Sequence, residues 1–229
     1  RWKYKRYKQK AMKKEVYRGN LPHFQQPGQD YFVTWILKNS VPKKAVEVYS
    51  KRMEQLKNEI DILKRNNADT NAIENAKKDY YIIRKKYIAK VDEILDAKTD
   101  NIVDLSKSEN LNIIYETLTF WEGKRIGNYC FCVMPNHVHW VLRVFEKDTK
   151  EKPVYLEEIM HSVKLFTSRQ INIFENRKGT LWNKESFDTT IRDRIHLHRA
   201  IEYTLNNPIK ANLVKNREDW KGNFNFERD

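Results

Sequence analysis

Hydrophobic and polar positions change rhythm several times along this chain. "YFVTWILK" (Tyr31 to Lys38) is β-branched and aromatic and predicts a first core strand, preceded by the turn-rich "GNLPHFQQPGQD". From residue 42 to 98 the rhythm becomes helical. Tyr49, Met53, Leu56, Ile60 and Leu63 recur at spacings of four and three. After the polar break "RNNADTN", "NAIE" (Asn71 to Glu74) reads as a capping box opening a second helix. Ile73, Ala76, Tyr80, Ile83, Tyr87, Val91 and Ile94 carry its seam, which predicts an inserted antiparallel helical hairpin. The hairpin carries both signs of charge, which fits either a solvated projection or a contact with DNA or a partner.

A further helix follows, with Leu111, Ile114, Tyr115, Leu118 and Trp121 on one face. "NYCFCVMP" and "HVHWVLRV" then read as two strands joined tightly through Pro135 and Asn136. Ile159, Val163, Phe166 and Ile173 mark the next helix. "GTLWNKESFDTTIRD" reads as a loop holding at most a short strand. "IHLHRAIEYTLNN" is helical and is expected to stop at Pro208. This order predicts a single α+β domain over residues 1–229, with helices packed on an antiparallel sheet.

Charge sharpens the picture. The formal net charge is +13, and aromatics interleave with basic residues in "RWKYKRYKQK", inside a basic segment 1–30. Lys and Arg neutralise phosphates and aromatics stack on unpaired bases, so a nucleic acid is the favoured polyanionic partner. No run has transmembrane length and no signal-peptide pattern is visible, so no membrane partner is expected. Cys130 and Cys132 are the chain's two cysteines. Two apart in a strand, they do not bridge easily, which points to a reducing, cytoplasmic location.

Candidate chemistry centres on "VMPNHVHWVL". Alternate strand residues share a face, so His137 and His139 point the same way and are placed to hold one divalent cation. The rival reading makes them edge-of-core histidines satisfied by the backbone. A histidine-triad chemistry would need a third histidine where Val141 stands. A zinc site with Cys130 and Cys132 does not fit common knuckle spacings. Phosphodiester cleavage needs open metal positions and a nucleophile. In "IEYTLNNP", Tyr203 and Asn207 are one helical turn apart and can supply an attacking phenol and a ligating carboxamide. Equally, Tyr203 can be a core residue and Asn207 a helix cap. As a nucleophile, Tyr203 needs a neighbouring cation to favour its phenolate.

"VMPNHVHWVL" resembles the signature of the HUH single-tyrosine transposases. "RGNLPHFQQPGQDYFVTW" (Arg18 to Trp35), "HSVKLFTSRQIN" (His161 to Asn172), "GTLWNKESFDTTIRD" (Gly179 to Asp193) and "AIEYTLNNPIKANLV" (Ala200 to Val214) narrow the resemblance to the REP-associated tyrosine transposases. These blocks follow the branch's order and cover nearly the whole chain. The resemblance implies an HUH, ferredoxin-like palm and a metal-dependent endonuclease and strand transferase. Such enzymes cut single-stranded DNA next to palindromic, REP-like hairpins through a 5′-phosphotyrosine, leaving a 3′-hydroxyl.

By position, the resemblance makes His137, His139 and Asn207 ligands of Mg²⁺ or Mn²⁺. Tyr203 becomes the nucleophile, carried on a C-terminal helix within 195–214. Arg18 and His23 become candidate readers of a guide sequence, and Lys164, Ser168 and Arg169 candidate backbone contacts. Trp182 is a candidate for stacking or packing. Arg192 is a candidate for DNA contact or, with Asp188 and Asp193, for support of the site. The partner implied is single-stranded or hairpin DNA, the protein a monomer or homodimer, and the place the nucleoid. The hairpin at 42–98 lies where the branch varies, so no role transfers to it. The alternative function is a domesticated hairpin-binding protein that moves no DNA.

Overall fold

A computed structural model of the chain describes residues 16–18, 22–24, 26–97 and 100–226. In chain order it contains strands β1 (Val16–Arg18), β2 (Pro22–Phe24) and β3 (Asp30–Leu37), then helices α1 (Lys43–Arg65), α2 (Thr70–Ala97) and α3 (Ser108–Thr119). Strands β4 (Ile126–Val133) and β5 (His137–Val144) follow, then α4 (Leu156–Phe174), β6 (Trp182–Ile191), α5 (Arg194–Leu205), α6 (Asn207–Lys210) and β7 (Asn223–Asn225).

The principal sheet runs β6-β3-β5-β4-β7, with every neighbouring pair antiparallel. With helices on it, this is the α+β class that the sequence pattern predicts. Strand β5 sits at the centre, and all of its side chains except Arg143 are buried. That explains why it reads as a continuous apolar run rather than a clean alternation.

The two sheet faces have different tasks. Tyr31, Val33, Trp35, Phe131, Val133, Val138, Trp140 and Leu142 face α3 and α4 and form the main core. Trp35 meets Trp140 and Trp182 edge-on, with ring centroids 6.1 Å apart in each pair. The opposite face carries Phe32, Thr34, Ile36, Cys130, Val141 and the two histidines. It is covered by α5 at one end, and at the other by the α1–α2 hairpin, which packs on Ile36 and Phe187.

Four expectations need correction. Residues 182–191 form a full strand; β6 lies at the sheet edge, where only Trp182, Phe187 and Ile191 are buried, so its polar character hid it. Helix α4 turns Leu156, Ile159, Met160, Val163, Thr167 and Ile171 inward, while Phe166 and Ile173 are exposed. Helix α2 begins at Thr70, so Asn71 lies inside its first turn and is no cap. Pro208 does not end a helix. The chain breaks at Asn206 and restarts, with Pro208 in the first turn of α6, where its missing N–H costs nothing. A continuous helix over 195–214 is therefore replaced by α5 and a short α6.

Candidate active site

The site is built on the β5 face beneath α5. His137 and His139 are each 1% exposed, and their Nε2 atoms stand 3.0 Å apart. Each ring is held from behind. The Asn136 Nδ2 donates to the Leu95 carbonyl at 2.9 Å, which turns its Oδ1 toward His137 Nδ1, 2.6 Å away. His137 Nδ1 must then carry the proton, leaving Nε2 a free lone pair. His139 Nδ1 meets Thr34 Oγ1 at 2.7 Å. A hydroxyl can donate or accept there, so His139 Nε2 can either donate to His137 Nε2 or present its own lone pair. Burial, reinforced by the Lys210 charge, lowers His137 to about 3, and burial together with the neighbouring His137 lowers His139 well below its usual value. Both rings are thus neutral at physiological pH, the form that binds metal.

Helix α5 delivers Tyr203 and the break after it delivers Asn207. Phe32 stacks on His139 and meets Tyr203 edge-on, and the His139 and Tyr203 ring centroids lie 5.4 Å apart. Asn207 is 1% exposed. Its carboxamide lies close enough to His137, His139 and Tyr203 to influence the protonation of each, yet neither its oxygen nor its nitrogen meets a partner in good hydrogen-bond geometry. An unpartnered buried carboxamide is costly unless a ligand completes it. Two imidazole nitrogens and that oxygen form a donor set suited to a divalent cation. The capping alternative for Asn207 does not hold, because Asn206 occupies that position.

The cation expected beside the phenol is replaced by an anion. Tyr203 Oη donates to Asp92 Oδ2 at 2.5 Å. Lys210 lies 5.7 Å from the ring centroid, but its ammonium pairs with Asp96 at 2.9 Å. Burial and Asp92 together raise the phenol well above its ordinary value. Burial also raises Asp92, against the pull of Tyr203 and Lys210. An open pocket of about 490 Å³ gives access to this pair, lined in part by Asp92, Asp96, Tyr203 and Lys210.

The remaining candidates divide sharply. Lys164 Nζ donates to the carbonyls of Asn183, Lys184 and Glu185 at 3.1–3.2 Å, so it pins the start of β6 instead of reaching outward. Trp182 is 4% exposed and donates to Thr167 Oγ1 at 2.9 Å; it packs in the core and offers no face to a base. Ser168 is half-buried and Arg169 exposed. Arg192 is exposed and lines an open pocket of about 350 Å³ together with Arg143 and Arg194. Asp193 caps α5, its Oδ1 accepting from the His196 N–H at 2.7 Å. The Asp188 carbonyl accepts from Arg84 at 2.7 Å, tying the hairpin to β6.

Arg18 and His23 fall on the β1–β2 ribbon, where Arg18 pairs with Pro22 and Tyr17 with His23. Their side chains, like residues 1–15 of the basic segment, lie outside the described residues. Cys130 and Cys132 are wholly buried; burial pushes the Cys130 thiol up to about 12 and the Cys132 thiol well above its usual value, so neither offers a thiolate. No helix among the described residues is long and apolar enough to cross a membrane.

Sequence reasoning missed Thr34, Asn136 and Asp92. The first two are ordinary strand and turn residues until the register places them against the histidines. Asp92 left one signal: the last turns of α2, "VDEILDA", carry acids and no base, the unfavourable charge for a helix C-terminus.

Fold and site together define an α+β protein with a buried imidazole pair facing a helix-borne phenol. In sequence the chain is similar to a Haemophilus influenzae (strain KW20 Rd) protein that carries the provisional name REP-associated tyrosine transposase. The two are 27% identical over 106 residues, 43% of this chain and 57% of the relative. The match thus spans little more than half of that relative's length. A solved structure of a REP-associated tyrosine transposase bound to a REP hairpin aligns with 90% of this chain and 80% of its own, at 14% identity and a TM-score of 0.44. No family model matches the chain.

Proposed function

We propose that this chain is a REP-associated tyrosine transposase that nicks and rejoins single-stranded DNA beside a hairpin, through a 5′-phosphotyrosine at Tyr203. The observation that carries the reading is the meeting of His137 and His139 with the unpartnered Asn207 carboxamide beneath a half-buried tyrosine. His137, His139 and Asn207 would hold Mg²⁺ or Mn²⁺, which supplies Lewis-acid polarisation of the scissile phosphate. Neutral imidazoles and a neutral carboxamide leave the cation's full charge available to that phosphate.

The chain's own residues account for the remaining needs. Phe32 and His139 fix the plane from which the Tyr203 oxygen approaches. The covalent phosphotyrosine retains the energy of the broken phosphodiester, so a different 3′-hydroxyl can rejoin without a nucleotide cofactor. The exposed arginines Arg143, Arg192 and Arg194 suit the flanking phosphates.

The test uses single-stranded hairpin oligonucleotides copied from the DNA flanking the gene, incubated with protein and Mn²⁺. Wild type is expected to leave a protein–DNA adduct that survives denaturation, and Tyr203→Phe none. An adduct persisting in Tyr203→Phe would overturn the nucleophile assignment. Hairpin binding with no cleavage, across metals and flanks, would favour the domesticated binding protein.

A further inference from the structure

The inserted hairpin does not project freely; its second helix ends inside the active site. Three contacts from the last two turns of α2 reach three different parts of it. The Leu95 carbonyl orients Asn136, and through it His137. Asp96 pairs with Lys210 on α6. Asp92 accepts the phenolic hydrogen of Tyr203 on α5, across 111 residues of sequence. Asp92 is only 8% exposed, yet it sits on a segment whose neighbours Val91 and Leu95 are core residues. A buried carboxylate near a helix C-terminus is unfavourable for stability on two counts, desolvation and the helix dipole. A residue placed there against stability needs another reason to be there.

We propose that Asp92, brought in by the inserted helical hairpin, is a catalytic residue of this site: the base that takes the proton of Tyr203 as its oxygen attacks phosphorus. This rests on the transposase reading above. In the forward step the Oη–H proton passes to Asp92 Oδ2 and an Oη lone pair forms the bond to phosphorus. The bond from phosphorus to the 3′-oxygen breaks, and that oxygen keeps the electron pair and takes a proton from water. On rejoining, an incoming 3′-oxygen loses its proton to solvent and attacks phosphorus, and Asp92 returns its proton to the departing phenolate. The 2.5 Å contact meets the reach that proton transfer requires without any rearrangement. The hairpin is therefore part of the catalytic apparatus, and its presence fixes where the nucleophile can be activated.

The experiment compares wild type, Asp92→Asn and Tyr203→Phe for single-turnover adduct formation with the same flanking hairpin oligonucleotides and Mn²⁺. If wild type forms no adduct, the transposase reading fails and this one with it. If wild type reacts, Asp92→Asn is expected to react about 100-fold more slowly while binding the hairpin within about twofold. Placing 3,5-difluorotyrosine at position 203 makes a more acidic phenol, and is expected to recover about tenfold or more in Asp92→Asn but little in wild type. Should Asp92→Asn fold poorly, Asp92→Glu and Asp92→Gln, equal in size, ask the same question, with the carboxylate expected to be the faster by a similar factor. Equal rates for wild type and Asp92→Asn, or a slow Asp92→Asn that the fluorinated phenol does not recover, would reduce Asp92 to a strut between hairpin and helix.

Discussion

Asn136 stands between Leu95 and His137, donating to the carbonyl of one at 2.9 Å and accepting from the ring of the other at 2.6 Å. One turn residue thereby sets the tautomer of a candidate metal ligand and anchors the inserted hairpin. Asn136→Ala leaves a buried carbonyl and a buried ring nitrogen without partners. A loss of about 1–3 kcal/mol of stability is expected, together with Mn²⁺ affinity weakened about 10- to 100-fold. Urea unfolding and calorimetric titration with Mn²⁺ measure the two effects separately. Unchanged metal affinity would mean that His137 needs no orienting partner.

The neutral histidines make the metal-free protein sensitive to acid. The folded state refuses protons that the unfolded state accepts below the ordinary histidine value, since burial depresses both rings, His137 to about 3. Their contribution to stability is therefore intact above about pH 6.5 and is lost as pH falls toward 3. The slope approaches about 1.4 kcal/mol per pH unit for each histidine that stays neutral. Unfolding in EDTA between pH 7 and 4 measures this slope, and His137→Gln is expected to flatten it. A slope equal in wild type and variant would remove His137 from the account.

Lys164 and Arg192 are both candidates for DNA contact in the sequence, and the structure separates them: Lys164 is tied to β6 carbonyls and Arg192 is exposed. Lys164→Met removes three hydrogen bonds to β6 carbonyls, so a lower melting temperature is expected with little change in the salt dependence of DNA binding. Arg192→Ala is expected to leave stability alone, weaken binding to every hairpin alike and lower the salt slope by about one ion. Fluorescence anisotropy over a salt series separates the two. The opposite pattern would restore Lys164 to the DNA interface.

Trp182 is a packing residue, so its loss is expected in stability and not in recognition. Trp182→Ala opens a cavity beside Trp35 and removes the indole's hydrogen bond to Thr167, whose hydroxyl keeps its bond to the Val163 carbonyl, for about 3–5 kcal/mol. Trp182→Phe is the milder test. It should fold, melt lower and bind hairpin DNA as wild type does. A specific loss of DNA affinity in the folded Phe variant would show that the indole meets a base after all.

Local pattern carried the histidine strand and the helical hairpin, because alternate residues of any strand share a face and the α1–α2 seams repeat every three to four residues. It failed where the partner decides. The edge strand β6 buries only one side chain in several, so its polar run looks like a loop. Pro208 punctuates a helix in sequence but opens the next turn in space, because Asn206 absorbs the break. Tyr203 and Asn207 were legible as a pair through their one-turn spacing, and the family blocks supplied their roles.

The sequence by itself determined that His137 and His139 share a face, that two helical seams follow one another between the first strand and α3, and that the chain carries a net charge of +13. These are properties of neighbours along the chain, set by backbone period and by counts of charge. Only the tertiary structure decided that Thr34 and Asn136 hold the two rings, that the Asn207 carboxamide lies unpartnered beside them and that Asp92 meets Tyr203. Those contacts join residues up to 111 positions apart, brought together by burying two faces of one sheet under separate helices. Hydrophobic burial is non-directional and leaves no mark in the sequence of which polar groups it will set face to face.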